Sequence, residues 1–261
     1  MKAIILAAGT ASRLRPLTSN TPKCLLKVGE RTLLQRSMDA LIEAGIREFV
    51  IVTGYLHGQI ESFVQQTYGD NISVCFIHNK DYETTNNIYS LWLARPEAEG
   101  QEILLLDSDL LYDGQIVKRV LADNHENVLT LIRHELGEEE MKVVTDKDGT
   151  ITEISKTCDP ALAAGESLGI ERMGKAYTTA LYKELDVMMN TEHLENTFYE
   201  LAFLRLITQA QALTTTDVRL TSPAAADLRF SVLDVTDLFS CELDTVEDFE
   251  NAKQHIPAHL F

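Results

Sequence analysis

Three observations predict an α/β fold built on a mostly parallel sheet covered by helices on both faces. Short, β-rich apolar runs alternate with helical patterns through the first half of the chain. The runs are apolar throughout, as strands buried on both faces are. Their strand–helix–strand spacing is that of right-handed βαβ crossovers.

The apolar runs are Ala3–Ala7, Phe49–Thr53, Val74–Ile77, Ile103–Leu106 and Val128–Ile132. Between the first two, Leu34, Met38, Leu41 and Ile42 fall at i, i+4, i+7 and i+8, one apolar helix face that Gly45 ends. Residues 57–66 and 87–95 read as the second and third helices. The second half changes character. Residues 142–145 and 151–154 read as a hairpin across Asp146-Lys147-Asp148-Gly149, because Asp-Gly supplies the positive φ such turns require. Residues 195–207 read as a helix with Phe198, Leu201, Leu204 and Ile207 on one side. Phe230–Val235 reads as a strand, and 245–255 as a closing helix with Thr245 as N-cap. No repeat, low-complexity segment or linker interrupts the chain. Residues 1–261 are therefore expected to form a single domain, a Rossmann-like three-layer sandwich through 1–135 with a smaller α+β portion in 136–261.

The 261 residues are 45% hydrophobic and 24% charged, the composition of a soluble globular protein. No apolar run reaches the ~18 residues of a membrane helix, so no membrane insertion is expected. MKAIILAAG has an apolar core too short for a signal peptide and reads as a buried first strand. Cys24, Cys75, Cys158 and Cys241 form no CxxC and are expected as reduced thiols in a cytoplasmic protein. The net charge of −17 argues against nucleic acid or an anionic membrane surface as partner. Yet up to Ser37 the charges are Lys2, Arg13, Arg15, Lys23, Lys27, Arg31 and Arg36 against Glu30 alone. A basic island in an acidic chain suggests a discrete small anion; a solvated basic face is an equal reading from charge alone.

Leu6-Ala7-Ala8-Gly9 delivers the first strand to the edge of the sheet where ligands bind in open α/β folds. Ala7, Ala8, Gly9 and Ala11 let the main chain approach a ligand, so that N–H groups can face phosphate oxygens. Arg13 can bridge phosphates with its planar fork, and Lys23 adds a compact charge. The pattern is neither G-x-x-x-x-G-K-[ST] nor G-x-G-x-x-G. A tight βα turn without a ligand is the alternative. Two acidic pairs could serve a hard cation, which wants oxygen ligands. Asp107 and Asp109 follow the fourth apolar run, where a loop cap is an equal reading. Glu242 and Asp244 precede the closing helix, and there the residues alone favour Asp244 as a helix cap.

The segment LAAGTASRLRPLTSNTPKCLLKVGERTLL closely resembles the signature of the nucleotidyltransferases that activate sugar phosphates and related small phosphates. Gly9, Arg13, Pro16, Leu17, Thr18, Pro22 and Lys23 all fall in register. Ala11 stands where many members carry a second glycine, and implies that φ > 0 is not needed there. The resemblance implies that the loop from Leu6, Ala7, Ala8 and Gly9 to Arg13 wraps a nucleoside triphosphate. Arg13 and Lys23 would then neutralise charge at the α-phosphorus and on the leaving pyrophosphate. It further implies Mg²⁺ on Asp109 (the family's Gly-Asp pair, here Ser108-Asp109) and on Asp244 of SCELDTVEDF. Glu242 is a third candidate ligand, and Asp107 a neighbour that orients or binds the acceptor.

TTNNIYSL (84–91) stands where sugar-nucleotide enzymes carry P-x-G-T-A-x-A, and resembles the cytidylyltransferases acting on phosphocholine and 2-aminoethylphosphonate. That resemblance implies Thr85, Asn86 and Asn87 near the nucleotide and Tyr89 at the substrate; helix capping alone would explain Asn86. MKVVTDKDGTITEISK (141–156) and SLGIERMGK (167–175) extend the likeness more loosely. The implied organisation is a nucleotide-binding half in 1–135 and an acceptor-binding half with the second metal-ligand segment in 136–261. The implied reaction joins CTP and phosphocholine, or a similar phosphorylated or phosphonate amine such as 2-aminoethylphosphonate, into a CDP product and pyrophosphate by in-line attack. A sugar- or polyol-1-phosphate nucleotidyltransferase and an inactive nucleotide-binding regulator are the alternatives, and a homodimer is allowed. A quaternary ammonium is best held by an aromatic cage. Trp92, flanked by Ile88 and Leu91, reads as core, while Tyr82, Tyr89, Tyr112, Tyr177 and Tyr199 are candidate cage members. A primary amine would want carboxylates instead. Phosphocholine is the first choice at this level by a small margin.

Overall fold

The computed structural model describes residues 1–215 and 227–260. It opens with β1 (Lys2–Ala7) and two short 3-10 turns, Ser12–Leu14 and Lys23–Leu25. A small hairpin, β2 (Lys27–Val28) and β3 (Arg31–Thr32), leads into α1 (Leu33–Glu43), where Thr32 caps the helix by accepting from the Gln35 N–H at 3.0 Å. There follow β4 (Glu48–Thr53), α2 (His57–Tyr68), β5 (Ser73–His78), α3 (Asn87–Leu93), the single turn α4 (Arg95–Ala98) and β6 (Ile103–Asp107). The second half comprises β7 (Leu110–Tyr112), α5 (Gln115–Ala122), β8 (Val128–Ile132), β9 (Lys142–Thr145), β10 (Ile151–Ser155) and β11 (Gly165–Met173). It continues with α6 (Lys175–Asn190), α7 (Glu200–Thr215), β12 (Ser231–Asp234), β13 (Ser240–Glu242) and α8 (Val246–His255).

The fold is mixed α/β with a parallel centre, β6-β1-β4-β5, as the apolar runs predict. β11 joins antiparallel to β6 and also pairs with β8 and β9, so one long strand carries the second half's contribution to the sheet. Alternation along the strands splits the core into two layers. Ile4, Leu6, Val50 and Val52 face Ile88 and Leu91 of α3, Tyr177 and Leu181 of α6, and Phe203 of α7. Ala3, Ile5, Phe49 and Ile51 face Met38 and Leu41 of α1, Ile60 and Val64 of α2, and Ile116 and Val120 of α5. A third cluster packs Phe249 and Ala252 of α8, with Ile256 just after it, against Leu14, Leu26, Val28 and Leu111, which docks that helix on the first loop. No helix among the described residues is long and apolar enough to cross a membrane.

Two predicted helices differ from expectation. Residues 195–199 are not helical, because the Asn86 N–H donates to the Glu195 carbonyl at 2.9 Å and the Tyr199 N–H to Asn87 Oδ1 at 3.0 Å. Those ties to the start of α3 take up groups that a helix would use internally, and α7 begins at Glu200. Phe198 therefore lies outside the helix and is exposed. The segment predicted as one helix over 87–95 is likewise two, α3 and α4, with Pro96 at the start of the second.

Gly54 closes β4 directly against the first loop. A Cβ there would fall 2.6 Å from the Ala8 carbonyl oxygen and 2.8 Å from Tyr82 Cβ, and the next residue's N–H donates to that same carbonyl at 3.0 Å. Gly54→Ala is expected to cost about 1–3 kcal/mol by overpacking, read as a lower urea midpoint; an unchanged midpoint would show that the loop gives way freely.

Candidate active site

A cleft of about 690 Å³ opens where β1 and β6 end, and most of the residues singled out by sequence line it. Leu6, Ala7, Ala8 and Gly9 form one wall as β1 gives way to the loop. Ala11 sits at φ 46°, the left-handed conformation, with its carbonyl accepting from Thr18 Oγ1 at 2.8 Å and the Leu14 N–H at 3.1 Å. This corrects the expectation for that position: two hydrogen bonds hold an alanine where glycine would sit without strain. The 3-10 turn after Pro22 brings Lys23 into the cleft with only 12% of its side chain exposed.

Pairing of β7 with β13 joins the two acidic segments. Leu110 lies opposite Glu242, and the Leu243 N–H donates to the Asp109 carbonyl at 3.2 Å. Thr245 and Asp248 then form a full capping box, with the Thr245 N–H donating to Asp248 Oδ2 at 2.7 Å. The helix cap favoured for Asp244 by its residues alone is thus supplied by its neighbours, and Asp244 turns to the cleft.

Asp109, Glu242 and Asp244 each offer an oxygen within 4.8 Å of the others. Lys23 Nζ lies 2.8 Å from Asp109 Oδ2 and 2.6 Å from Asp244 Oδ1, and Arg13 Nη2 lies 2.7 Å from Asp244 Oδ2. Burial pulls the Lys23 pKa down, but the two carboxylates outweigh it and the net shift is upward. Asp244 shows the converse: burial opposes ionisation, and Lys23 and Arg13 more than offset it, holding the carboxyl below its usual range. Glu242 keeps contact with solvent, yet partial desolvation and the charges of Asp109 and Asp244 push it up to about 8. Asp109 Oδ1 is buried without a hydrogen-bond partner. Three convergent carboxylates, one of them with an unused buried oxygen, fit a hard divalent cation such as Mg²⁺.

Thr85, Asn86 and Asn87 line the cleft. Asn86 caps α3, its Oδ1 accepting from the Asn87 N–H at 2.8 Å, while Asn87 Oδ1 tethers Tyr199. Buried Asn79, which sequence reasoning passes over, braces this wall by donating to Thr85 Oγ1 and Ser90 Oγ, each at 3.1 Å. Tyr89 does not line the cleft, contrary to expectation. Its hydroxyl meets Asp81 at 3.4 Å and its ring packs on Trp92, whose Nε1 donates to Asp186 at 2.9 Å. At 100° per residue, Asn87 and Ser90 share a face of α3 and Tyr89 points away from it.

Asp107 lines the cleft but does not join the three-carboxylate group; its Oδ2 accepts from Tyr199 Oη at 3.0 Å. Gly169 makes room for it, at φ 79° with a notional Cβ only 2.7 Å from that oxygen. Glu200, Gly169, Phe198, Lys156 and Glu166 also line the cleft; Lys156 and Gly169 fall in the loosely similar segments 141–156 and 167–175, and the other three in no quoted segment. Burial, with the charges of neighbouring carboxylates, raises Asp107 and Glu171 well above the carboxylate range, and burial brings Glu200 up to about 7.

With that geometry the chain can be classed. It belongs to the nucleotidyl transferase family, whose sequence profile matches residues 2–156. Over 110 residues it is 40% identical to the choline-phosphate cytidylyltransferase of Streptococcus pneumoniae, a stretch covering 42% of this chain and 46% of that enzyme. Over 113 residues it is 33% identical to the 2-aminoethylphosphonate cytidylyltransferase of Lancefieldella rimae, covering 43% and 44%. The matched stretches thus span less than half the length of either relative. The solved CTP:phosphocholine cytidylyltransferase from Streptococcus pneumoniae shares the fold, with a TM-score of 0.75 at 22% identity over 98% of this chain and 99% of that one.

The raised pKa of Glu200 fixes the sign of a stability effect. The folded protein holds that proton more tightly than the unfolded chain, so stability is greatest below the ordinary glutamate pKa and is lost as pH rises through about 7. Glu200→Gln removes this loss. Its melting temperature relative to the parent is expected to climb from about pH 5 to about pH 7.5; a constant difference across that range would contradict it.

Proposed function

We propose that the protein is a Mg²⁺-dependent cytidylyltransferase, joining CTP to a small phosphorylated or phosphonate amine with release of pyrophosphate. The observation that carries this reading is the meeting of Lys23 and Arg13 with Asp109, Glu242 and Asp244 at the mouth of the Leu6–Arg13 loop. The identities with two cytidylyltransferases support the nucleotide choice, as do Thr85, Asn86, Asn87 and Ser90 of TTNNIYSL, which line the cleft.

In this reading residues 1–135 bind the nucleotide, and 136–261 complete the acceptor side and return Glu242 and Asp244. Main-chain N–H groups of the first loop would face the triphosphate. A phosphate or phosphonate oxygen is already a nucleophile at neutral pH, so alignment and charge neutralisation suffice and no general base is needed. Arg13 and Lys23 would balance the charge that gathers on the leaving pyrophosphate. Asp109 and Asp244, with Glu242, would hold Mg²⁺, which when bound supplies Lewis-acid charge at the α-phosphate. Asp107 is read as an acceptor contact.

Pyrophosphate release measured across CTP, UTP, dTTP and ATP with amine phosphates is expected to favour CTP. Preference for UTP or dTTP with a hexose 1-phosphate would replace this reading with a sugar nucleotidyltransferase. Lys23→Ala is expected to lower kcat by about 10²-fold or more while changing CTP affinity less; equal losses would place Lys23 in ground-state binding only. Asp244→Asn is expected to shift the Mg²⁺ titration to higher concentration, and an unmoved titration would remove it from the ligand set.

A further inference from the structure

Beside Asp107 the cleft presents an acceptor atom that the protein leaves unused. Glu200 is 8% exposed, lines the cleft and has no hydrogen-bond partner for Oε2. Glu171, fully buried beside them, is pushed well above the carboxylate range by burial and by the charges of Asp107 and Glu200. Buried carboxylate oxygens without donors are costly, and the cost is relieved by a ligand that brings N–H groups and positive charge. A quaternary ammonium brings charge without donors, and depends on aromatic faces.

Those faces are scarce here. Trp92 is committed to Asp186 and Tyr89 to Asp81. Tyr177 and Tyr199 are fully buried, the latter with its hydroxyl on Asp107. Phe198 does reach the cleft, but Lys156 Nζ already lies 4.8 Å from its ring centroid. That face is thus served by the chain's own ammonium, which also pairs with Glu139 at 3.4 Å, while Tyr82, the other ring lining the cleft, packs beside Tyr55 and Gly54 at the first loop.

Building on the cytidylyltransferase reading above, we propose that the acceptor carries an ammonium with N–H donors, seated on Glu200 and Asp107, so that primary amines are used in preference to quaternary ones. Acceptor choice would then part this chain from its relative named for choline phosphate. The recognised chemistry is an aminoalkyl phosphate or phosphonate.

The test is pyrophosphate release from CTP with 2-aminoethylphosphonate, phosphoethanolamine, its N-methyl and N,N-dimethyl forms, and phosphocholine. The first two compounds separate a phosphonate from a phosphate ester as the source of the amine. kcat/KM is expected to fall at least about tenfold where the last N–H is lost, between the dimethyl and trimethyl compounds. Glu200→Gln is expected to raise the acceptor KM about tenfold or more, to leave the CTP KM within about twofold, and to narrow the gap between amine and quaternary substrates. A purely structural Glu200 would leave that gap unchanged, and that result overturns the assignment. Phosphocholine used as well as the primary amines overturns it too, with cytidylyl transfer intact. Turnover confined to a hexose 1-phosphate with UTP or dTTP overturns the underlying reading itself. Should the variant fail to fold, the methylation series on the parent still decides. Calorimetric titration of the same amines into the complex with a non-hydrolysable CTP analogue ranks them without turnover, and equal affinities there also overturn the proposal.

Discussion

The ammonium of Lys23, set between Asp109 and Asp244, is the contact on which the site depends. It joins the first loop to the end of the central sheet, 86 residues on, and to the last segment, 221 residues on. Three carboxylates within 4.8 Å of one another would repel strongly without a cation among them. Taking one partner from a largely buried pair leaves the other charged and unmatched, which costs far more than the pair contributes. The surrounding architecture serves this contact. The β7–β13 ribbon fixes the distance between the two acidic segments, and the apolar cluster under α8 keeps the ribbon against the loop.

Much of the fold is legible in the sequence because its central strands are buried on both faces. Such runs carry no competing pattern, and the predicted ends of β1, β4, β6 and β8 agree with the structure to within a residue or so, as do those of the half-buried edge strand β5. β11 is harder to read: its first part mixes glycine, glutamate and serine with apolar residues, because it crosses the sheet and passes under the cleft. α6 is spelled out by Tyr177, Leu181, Leu185 and Met188, but β-branched Thr178 and Thr179 at its start weaken the signal. The non-helical stretch before α7 has no local signature at all. Its conformation comes from hydrogen bonds to residues more than a hundred positions away.

The candidate site divides in the same way. Arg13, Lys23, Asp109 and Asp244 belong to contiguous segments, and the resemblance of those segments to the nucleotidyltransferase signature singles them out. Asn79, Phe198 and Glu200 owe their places to tertiary closeness, which a linear pattern does not carry. Asp244 marks the boundary between the two cases. Its sequence context fits a helix cap as well as a ligand, and only the capping box of Thr245 with Asp248 shows that the helix has another provider. Tyr89 lies off the cleft for the opposite reason: proximity in sequence to Asn86 and Asn87 says nothing about which side of a helix faces the cleft.

The docking of α8 also sets an order of events for the growing chain. β1, its loop and Asp109 can come together once the first half has emerged, since their contacts close comparatively short loops. Glu242 and Asp244 arrive only with the closing segment, through contacts that span most of the chain and therefore carry the largest loop-closure cost. The donor set is thereby completed last. A chain that has not seated α8 lacks Glu242 and Asp244, so the three-carboxylate group forms only when that helix docks.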